Sequence, residues 1–307
     1  MDTEVNAFLE YCQFEKRLDH KTLKAYGIDL KQFYVFFQDS TQTKNLLLVP
    51  HGTISEYIKH LNQIYKPKTV KRKIATLKSF YSYHEYLAED FQSPFHRIRL
   101  KIREPKQLPR TIAPQYIDMF FKHLYMLKGN TLPDTLDFFY ILRDLLAIEL
   151  LFVSGVRVSE LSNLKIHDIS ESLDTLRIMG KGKKERIIPI YNPTITGIIK
   201  EYMPYRDPQN IYLLQNRTKR QFSAQSIRFM IRKYVQHLNI PLHITPHMFR
   251  HTVATMLLEN ELDIRYIQHF LGHSSISTTE IYTHVTAESY KHQINTKHPR
   301  RFVMNEG

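Results

Sequence analysis

Thr175-Leu176-Arg177-Ile178-Met179-Gly180-Lys181-Gly182-Lys183-Lys184-Glu185-Arg186-Ile187-Ile188-Pro189-Ile190 interrupts a chain that otherwise reads as helical. Leu176, Ile178, Ile187 and Ile188 are β-favouring or apolar residues flanking Gly180-Lys181-Gly182-Lys183, and a turn with two glycines leaves no room for a helix. The pattern predicts a β-hairpin over about 175–190 with lysines at its tip. The expected fold class is therefore mainly α, with a small β-sheet inside a mostly α domain. Taken alone, a Gly-Lys-Gly-Lys turn favours a plain solvent-exposed loop.

Outward from the hairpin, helical spacing dominates. Val5, Phe8, Leu9 and Cys12 follow it, as do Leu23, Tyr26, Leu30, Phe33 and Phe37. A further helix is predicted by Val70, Ile74, Leu77, Phe80 and Tyr81, with Lys68, Lys71, Arg72, Lys73 and Lys78 assigned to its other face. A basic face opposite an apolar one suits contact with DNA phosphates. The pattern stops around Pro94. Arg97 to Arg110 is polar and basic, holds Pro105 and Pro109, and reads as an interdomain linker whose cations, Arg103 among them, can follow a phosphate backbone. The expected division is a helical DNA-binding domain at 1–97, a linker at 98–111 and a larger domain at 112–307. The segment from Leu124 to Phe139 receives no role.

The chain has 307 residues, a net charge of +13 and a pI near 9.5, with 42% hydrophobic residues. The core is affordable, and the positive excess suits a polyanionic partner while leaving a merely soluble basic protein open. Cys12 is the sole cysteine, which excludes an intramolecular disulfide and a Cys-based zinc site and fits a reducing compartment. The start Met1-Asp2-Thr3-Glu4 carries no secretory pattern, and Leu145 to Val153 is too short to span a bilayer. A cytoplasmic protein without membrane association is the simplest expectation.

Three more clusters bear on chemistry. In Ser154-Gly155-Val156-Arg157-Val158-Ser159-Glu160-Leu161, a glycine turn leads into a helix with Arg157 near its N-terminus, although an arginine beside Glu160 is usually a surface ion pair. In His247-Met248-Phe249-Arg250-His251-Thr252, preceded by Thr245-Pro246 at a helix start, His247 and Arg250 share a face and make a phosphate pocket. His251 reads as a packed or supporting residue. His243, His247 and His251 mimic a metal-binding face, but Thr245-Pro246 interrupts it and no HExxH glutamate is present. Last, Leu271-Gly272-His273-Ser274 precedes Tyr282, which lies nine residues after His273 in Thr278-Thr279-Glu280-Ile281-Tyr282-Thr283-His284.

Arg, Lys, His-x-x-Arg, Leu-Gly-His and Tyr in this order, with this spacing, closely resemble the tyrosine site-specific recombinase (phage integrase) family over essentially the whole chain. The segment Lys68 to Phe95 looks like the closing helix of that family's core-binding domain, and Lys297-His298-Pro299-Arg300 resembles the tail of its Xer branch. The resemblance implies that Arg157, Lys181, His247, Arg250, His273 and Tyr282 are the catalytic positions. It implies a two-domain C-shaped clamp on double-stranded DNA recombination sites and a homotetramer, with a related recombinase or an accessory protein as further partners. The implied activity is cutting and rejoining DNA through a 3′-phosphotyrosyl intermediate, without metal, nucleotide or other cofactor. Integration, excision, inversion and dimer resolution stay open. With no room for an arm-binding domain before the core-binding segment, an Xer-like or simple integrase is favoured.

The residues make chemical sense of that set. Attack on a phosphodiester builds negative charge on its non-bridging oxygens, which two arginines can clamp. A tyrosine hydroxyl, with a reference pKa of about 10, needs help to act as a nucleophile at neutral pH. Rival readings are a DNA-binding protein without catalysis, a metal-dependent nuclease and a relaxing topoisomerase with the same chemistry. A DNA–protein adduct, chelator sensitivity and relaxation without exchange discriminate among them.

Overall fold

Apolar residues at helical spacing build the first part of the chain. The computed structural model describes residues 2–40, 45–96, 98, 110–180, 185–190, 192–272 and 287–301. It divides into two compact units, Met1–Gln107 and Leu108–Gly307.

In the first unit, α1 (Asp2–Phe14), α2 (His20–Ser40), α3 (His51–Ile64) and α4 (Pro67–Leu87) surround one core. Asp19 starts α2 by accepting from the Thr22 amide at 3.0 Å, and a proline opens α4, where no amide donor is needed. Val5, Phe8, Cys12, Leu30, Phe33, Phe37, Val70, Ile74, Leu77, Phe80 and Tyr81 are all buried, as their spacing predicts. Phe8 meets Phe80 edge-on at 5.5 Å, and Phe33 meets Tyr57 of α3 at 4.9 Å. The helix α4 ends at Leu87 rather than reaching Phe95. Beyond it a non-helical segment folds back, and Phe91 and Phe95 pack on Tyr81.

In the second unit, α5 (Pro114–Asn130) and α6 (Leu136–Ser154) pack together, and α6 is buried along nearly its whole length. The residues 124–139 thus span the end of α5, a short turn and the start of α6, where Thr135 caps the Phe138 amide. Then come α7 (Val158–Asn163) and an antiparallel hairpin of β1 (Thr175–Met179) and β2 (Glu185–Pro189). Its register pairs Thr175 with Pro189 and Met179 with Glu185. The helices α8 (Pro193–Tyr202), α9 (Ala224–His237), α10 (Pro246–Glu259), α11 (Ile264–Leu271) and α12 (Ala287–Lys297) complete the unit, followed by a single 3₁₀ turn at Pro299–Arg301. The fold is mainly α with a small sheet, as expected. No helix among the described residues is long and apolar enough to cross a membrane.

Candidate active site

Two helix ends converge in the second unit. α6 terminates at Gly155 (φ 56°) and α11 at Gly272 (φ 68°), both left-handed, where glycine avoids the Cβ penalty. Space is tight there as well. A Cβ on Gly155 would lie 2.7 Å from Leu271 Cδ2, and one on Gly272 would lie 3.0 Å from Arg186 Cδ.

Each end offers carbonyls to arginines. Arg250, on the inner face of α10 and 6% exposed, donates from Nη1 to Gly155 O at 2.8 Å and from Nη2 to Leu271 O at 2.5 Å. Burial and then the neighbouring Arg157 pull its pKa down to about 10, which leaves it cationic at neutral pH. Arg157 stands just after the Gly155 turn, as N-cap of α7. Its backbone N–H donates to Glu160 Oε2 at 2.9 Å and its Nη1 to Glu160 Oε1 at 2.8 Å. Arg186 of β2 donates Nη2 to Glu160 Oε2 at 2.8 Å, Nη1 to Oε1 at 3.3 Å and Nε to Phe270 O at 3.2 Å. Burial tends to raise the Glu160 pKa, but Arg186 and Arg157 outweigh it and hold the carboxyl below its usual range. Among the described residues, three guanidiniums thus interact with this one carboxylate, and the cluster keeps a positive excess suited to an anion.

His247 opens α10 one residue after Pro246, with its imidazole exposed beside this cluster. Its pKa is lowered by partial burial and by His251, Arg250, Arg228 and Arg157, which favours the neutral imidazole. Of the two readings of His251, packed or supporting, the packed one fails: it is exposed, because α10 turns Phe249, Arg250 and Val253 inward and leaves His247 and His251 outside.

The structure therefore brings Arg157, His247 and Arg250 together. Lys181, His273 and Tyr282 lie outside the described residues, as does Arg103. Glu160, Arg186 and Arg228 join the cluster without having been singled out from sequence. Strand alternation signals Arg186, since β2 turns it to the same side as Ile188.

The basic face of α4 needs one correction. Lys68, Lys71, Arg72 and Lys78 are exposed, but Lys73 is 3% exposed and belongs to the core side. Its ammonium donates to Asp29 Oδ1 at 2.9 Å and to Gln32, while Asp29 also accepts from Arg72 and, at 3.0 Å, from the Thr76 hydroxyl. Asp29 is itself buried, so a charge partner inside the unit outweighs Lys73's preference for water.

A mainly helical scaffold with a small antiparallel sheet, and an arginine cluster beside a histidine, suits an enzyme that acts on a phosphodiester. The chain belongs to the phage integrase family, the tyrosine recombinases. The model of that family matches residues 127–289, and the model of the phage integrase N-terminal SAM-like domain matches residues 5–85. A tyrosine recombinase of Agathobacter rectalis is 43% identical over 304 residues, covering 98% of each chain. Tyrosine recombinase XerD of Halalkalibacterium halodurans is 31% identical over 308 residues, covering 98% of this chain and 99% of that protein. Among solved structures, the XerH site-specific recombinase bound to a palindromic difH substrate, a post-cleavage complex, has the same fold. Its TM-score is 0.70 at 20% identity, over 94% of this chain and 83% of that one. The chain is an Xer-like tyrosine recombinase and catalyses DNA cleavage and rejoining.

Proposed function

We propose that the chain recombines two DNA sites through a 3′-phosphotyrosyl intermediate on Tyr282, with Arg157, Lys181, His247, Arg250 and His273 as the other catalytic residues. The observation that carries this is the cluster of Arg157, Arg186 and Arg250 around Glu160 and the two helix ends, with His247 beside it. Arg157 and Arg250 clamp the non-bridging oxygens of the scissile phosphate as negative charge builds on them. Removing one such donor costs about 10²–10³ in rate. The Tyr282 hydroxyl attacks phosphorus, and His247, able to accept a proton in its neutral form, takes the phenolic one. The bond from phosphorus to the 5′-oxygen breaks, and Lys181 protonates that oxygen. His273 orients the phosphate. Attack by the 5′-hydroxyl of another strand reverses the steps and seals the new joint, conserving the phosphodiester without a nucleotide or a metal.

Exchange between two duplexes cuts two strands in each. With one Tyr282 per chain, four protomers are needed, which supports a homotetramer on two sites. DNA is held by Lys68, Lys71, Arg72 and Lys78 on α4, by Arg103, and by the exposed Arg228, Arg232 and Lys233 of α9. The domain assignment that goes with this is a DNA-binding domain at 1–97, a linker at 98–111 and a catalytic domain at 112–307.

The decisive experiment uses a duplex carrying a recombination site with a nick beside the cleavage position, so that the cut strand diffuses away. Wild type is expected to leave a protein–DNA adduct on a denaturing gel, and Tyr282→Phe none, at equal DNA binding. An adduct formed equally by Tyr282→Phe would overturn the assignment of the nucleophile.

A further inference from the structure

Arg186 has no part in the steps above, yet it sits where an arginine is costly. It faces the same way as buried Ile188, and Ile178, its partner in the register, is 2% exposed. A charge in that position needs full pairing, and Arg186 finds it in Glu160 and the Phe270 carbonyl.

The Glu160 carboxylate offers about four lone-pair sites. Each of its oxygens accepts one N–H from Arg186 and one from Arg157. The Arg186 side chain thus takes two of these sites, and the Arg157 guanidinium holds the carboxylate through Nη1 alone, its other contact being the backbone N–H. The Arg157 side chain remains 38% exposed, against 8% for Arg186. Without Arg186, both Glu160 oxygens become open to the Arg157 fork. A bidentate pair of that kind competes directly with a phosphate for the same guanidinium. Arg186 also lies against the Gly272 turn, whose Cβ position is 3.0–3.1 Å from its Cδ, Nε and Nη1. It therefore spaces that turn from the Arg157 segment.

We infer that Arg186 is a positioning residue for DNA cleavage: by occupying half of Glu160, it keeps the Arg157 guanidinium turned outward, available to the scissile phosphate. This rests on the proposed role of Arg157 as a phosphate clamp.

The test compares adduct formation on two nicked duplexes. One has an ordinary scissile phosphate, and the other a methylphosphonate there, which lacks the charge that Arg157 neutralises. Arg186→Met is expected to slow cleavage of the ordinary substrate by about 10–10²-fold, a loss typical of a misaligned group, with DNA affinity within about twofold. On the methylphosphonate the rate of Arg186→Met approaches that of wild type on the same substrate. Adding Glu160→Gln to Arg186→Met removes the competing anion and restores part of the rate. Should Arg186→Met fail to fold, Arg186→Lys carries the same comparison, since a lysine keeps the charge but cannot make the two-pronged contact. Unchanged cleavage, or equal loss on both substrates with no recovery in the double variant, overturns the inference. Failure of wild type to form any adduct would instead overturn the strand-transfer reading itself.

Discussion

The C-terminal 3₁₀ turn is fastened to the second unit by a buried ion pair, and breaking it has a calculable cost. Arg300, 6% exposed, donates from Nε to Glu149 Oε2 at 2.8 Å and from Nη2 to Oε1 at 2.7 Å, with its guanidinium 4.6 Å from the centre of the Phe121 ring. Glu149, on α6, is fully buried and also accepts from the Tyr125 hydroxyl at 2.7 Å. Arg300→Met leaves that carboxylate buried with the phenol for company. Removing one member of a buried pair costs about 3–5 kcal/mol. For a unit of this size, that lowers Tm by about 6–20 °C. Glu149→Gln with Arg300→Met removes both charges while keeping an acceptor for Tyr125, and restores most of the stability. Differential scanning calorimetry, which resolves the two units if they melt separately, and circular dichroism provide the assay, since the chain has no tryptophan. A loss under about 1 kcal/mol for Arg300→Met at pH 8, or a double variant no more stable than the single one, refutes the argument.

Other outcomes follow from the same physics. Lys71→Ala weakens DNA binding and flattens the slope of log affinity against log salt by about 0.9. Lys73→Met leaves that slope unchanged and destabilises the first unit, because it strands the buried Asp29; titrations at several salt concentrations separate the two. His298 is 6% exposed, and burial lowers its pKa from 6.5 to about 4. The unfolded chain therefore binds the proton first, and the contribution of this residue is complete above pH 6.5 and is lost as pH falls towards 4. The difference amounts to about 3 kcal/mol, and thermal melts of wild type and His298→Gln from pH 7.5 to 4.5 should converge accordingly. Adduct formation should withstand excess EDTA; abolition by chelator and rescue by Mg²⁺ would refute the metal-free mechanism.

Much of this was legible in the sequence because local rules carry it. Period-3.6 runs mark α1, α2 and α4, and the β-favouring flanks and glycines of 175–190 mark the hairpin. Thr245-Pro246 marks the start of α10. What escaped depends on partners distant in sequence. Lys73 lies three residues after Val70 and four before Leu77, on the apolar stripe itself, but its burial is made tolerable by Asp29, 44 positions away, with Gln32 beside it. Glu160 resembles a surface partner of Arg157 until Arg186, 26 positions on, closes over it. Arg228 enters through the packing of α9, which no local pattern announces.

The carbonyls at the ends of α6 and α11 hold Arg250 without cancelling it. A carboxylate in their place would hold the side chain as firmly and neutralise it, whereas peptide carbonyls carry only partial charges and leave the guanidinium a net cation. The work of ordering that cation is completed during folding, before any DNA arrives, so little solvent or side-chain rearrangement remains for the moment of reaction. The arrangement also makes catalysis more fragile than affinity. On the proposed roles of Arg250 and the α4 lysines, warming or mild denaturant that loosens either helix end should silence strand cleavage while the duplex stays bound. A recombinase built this way stops cutting before it lets go.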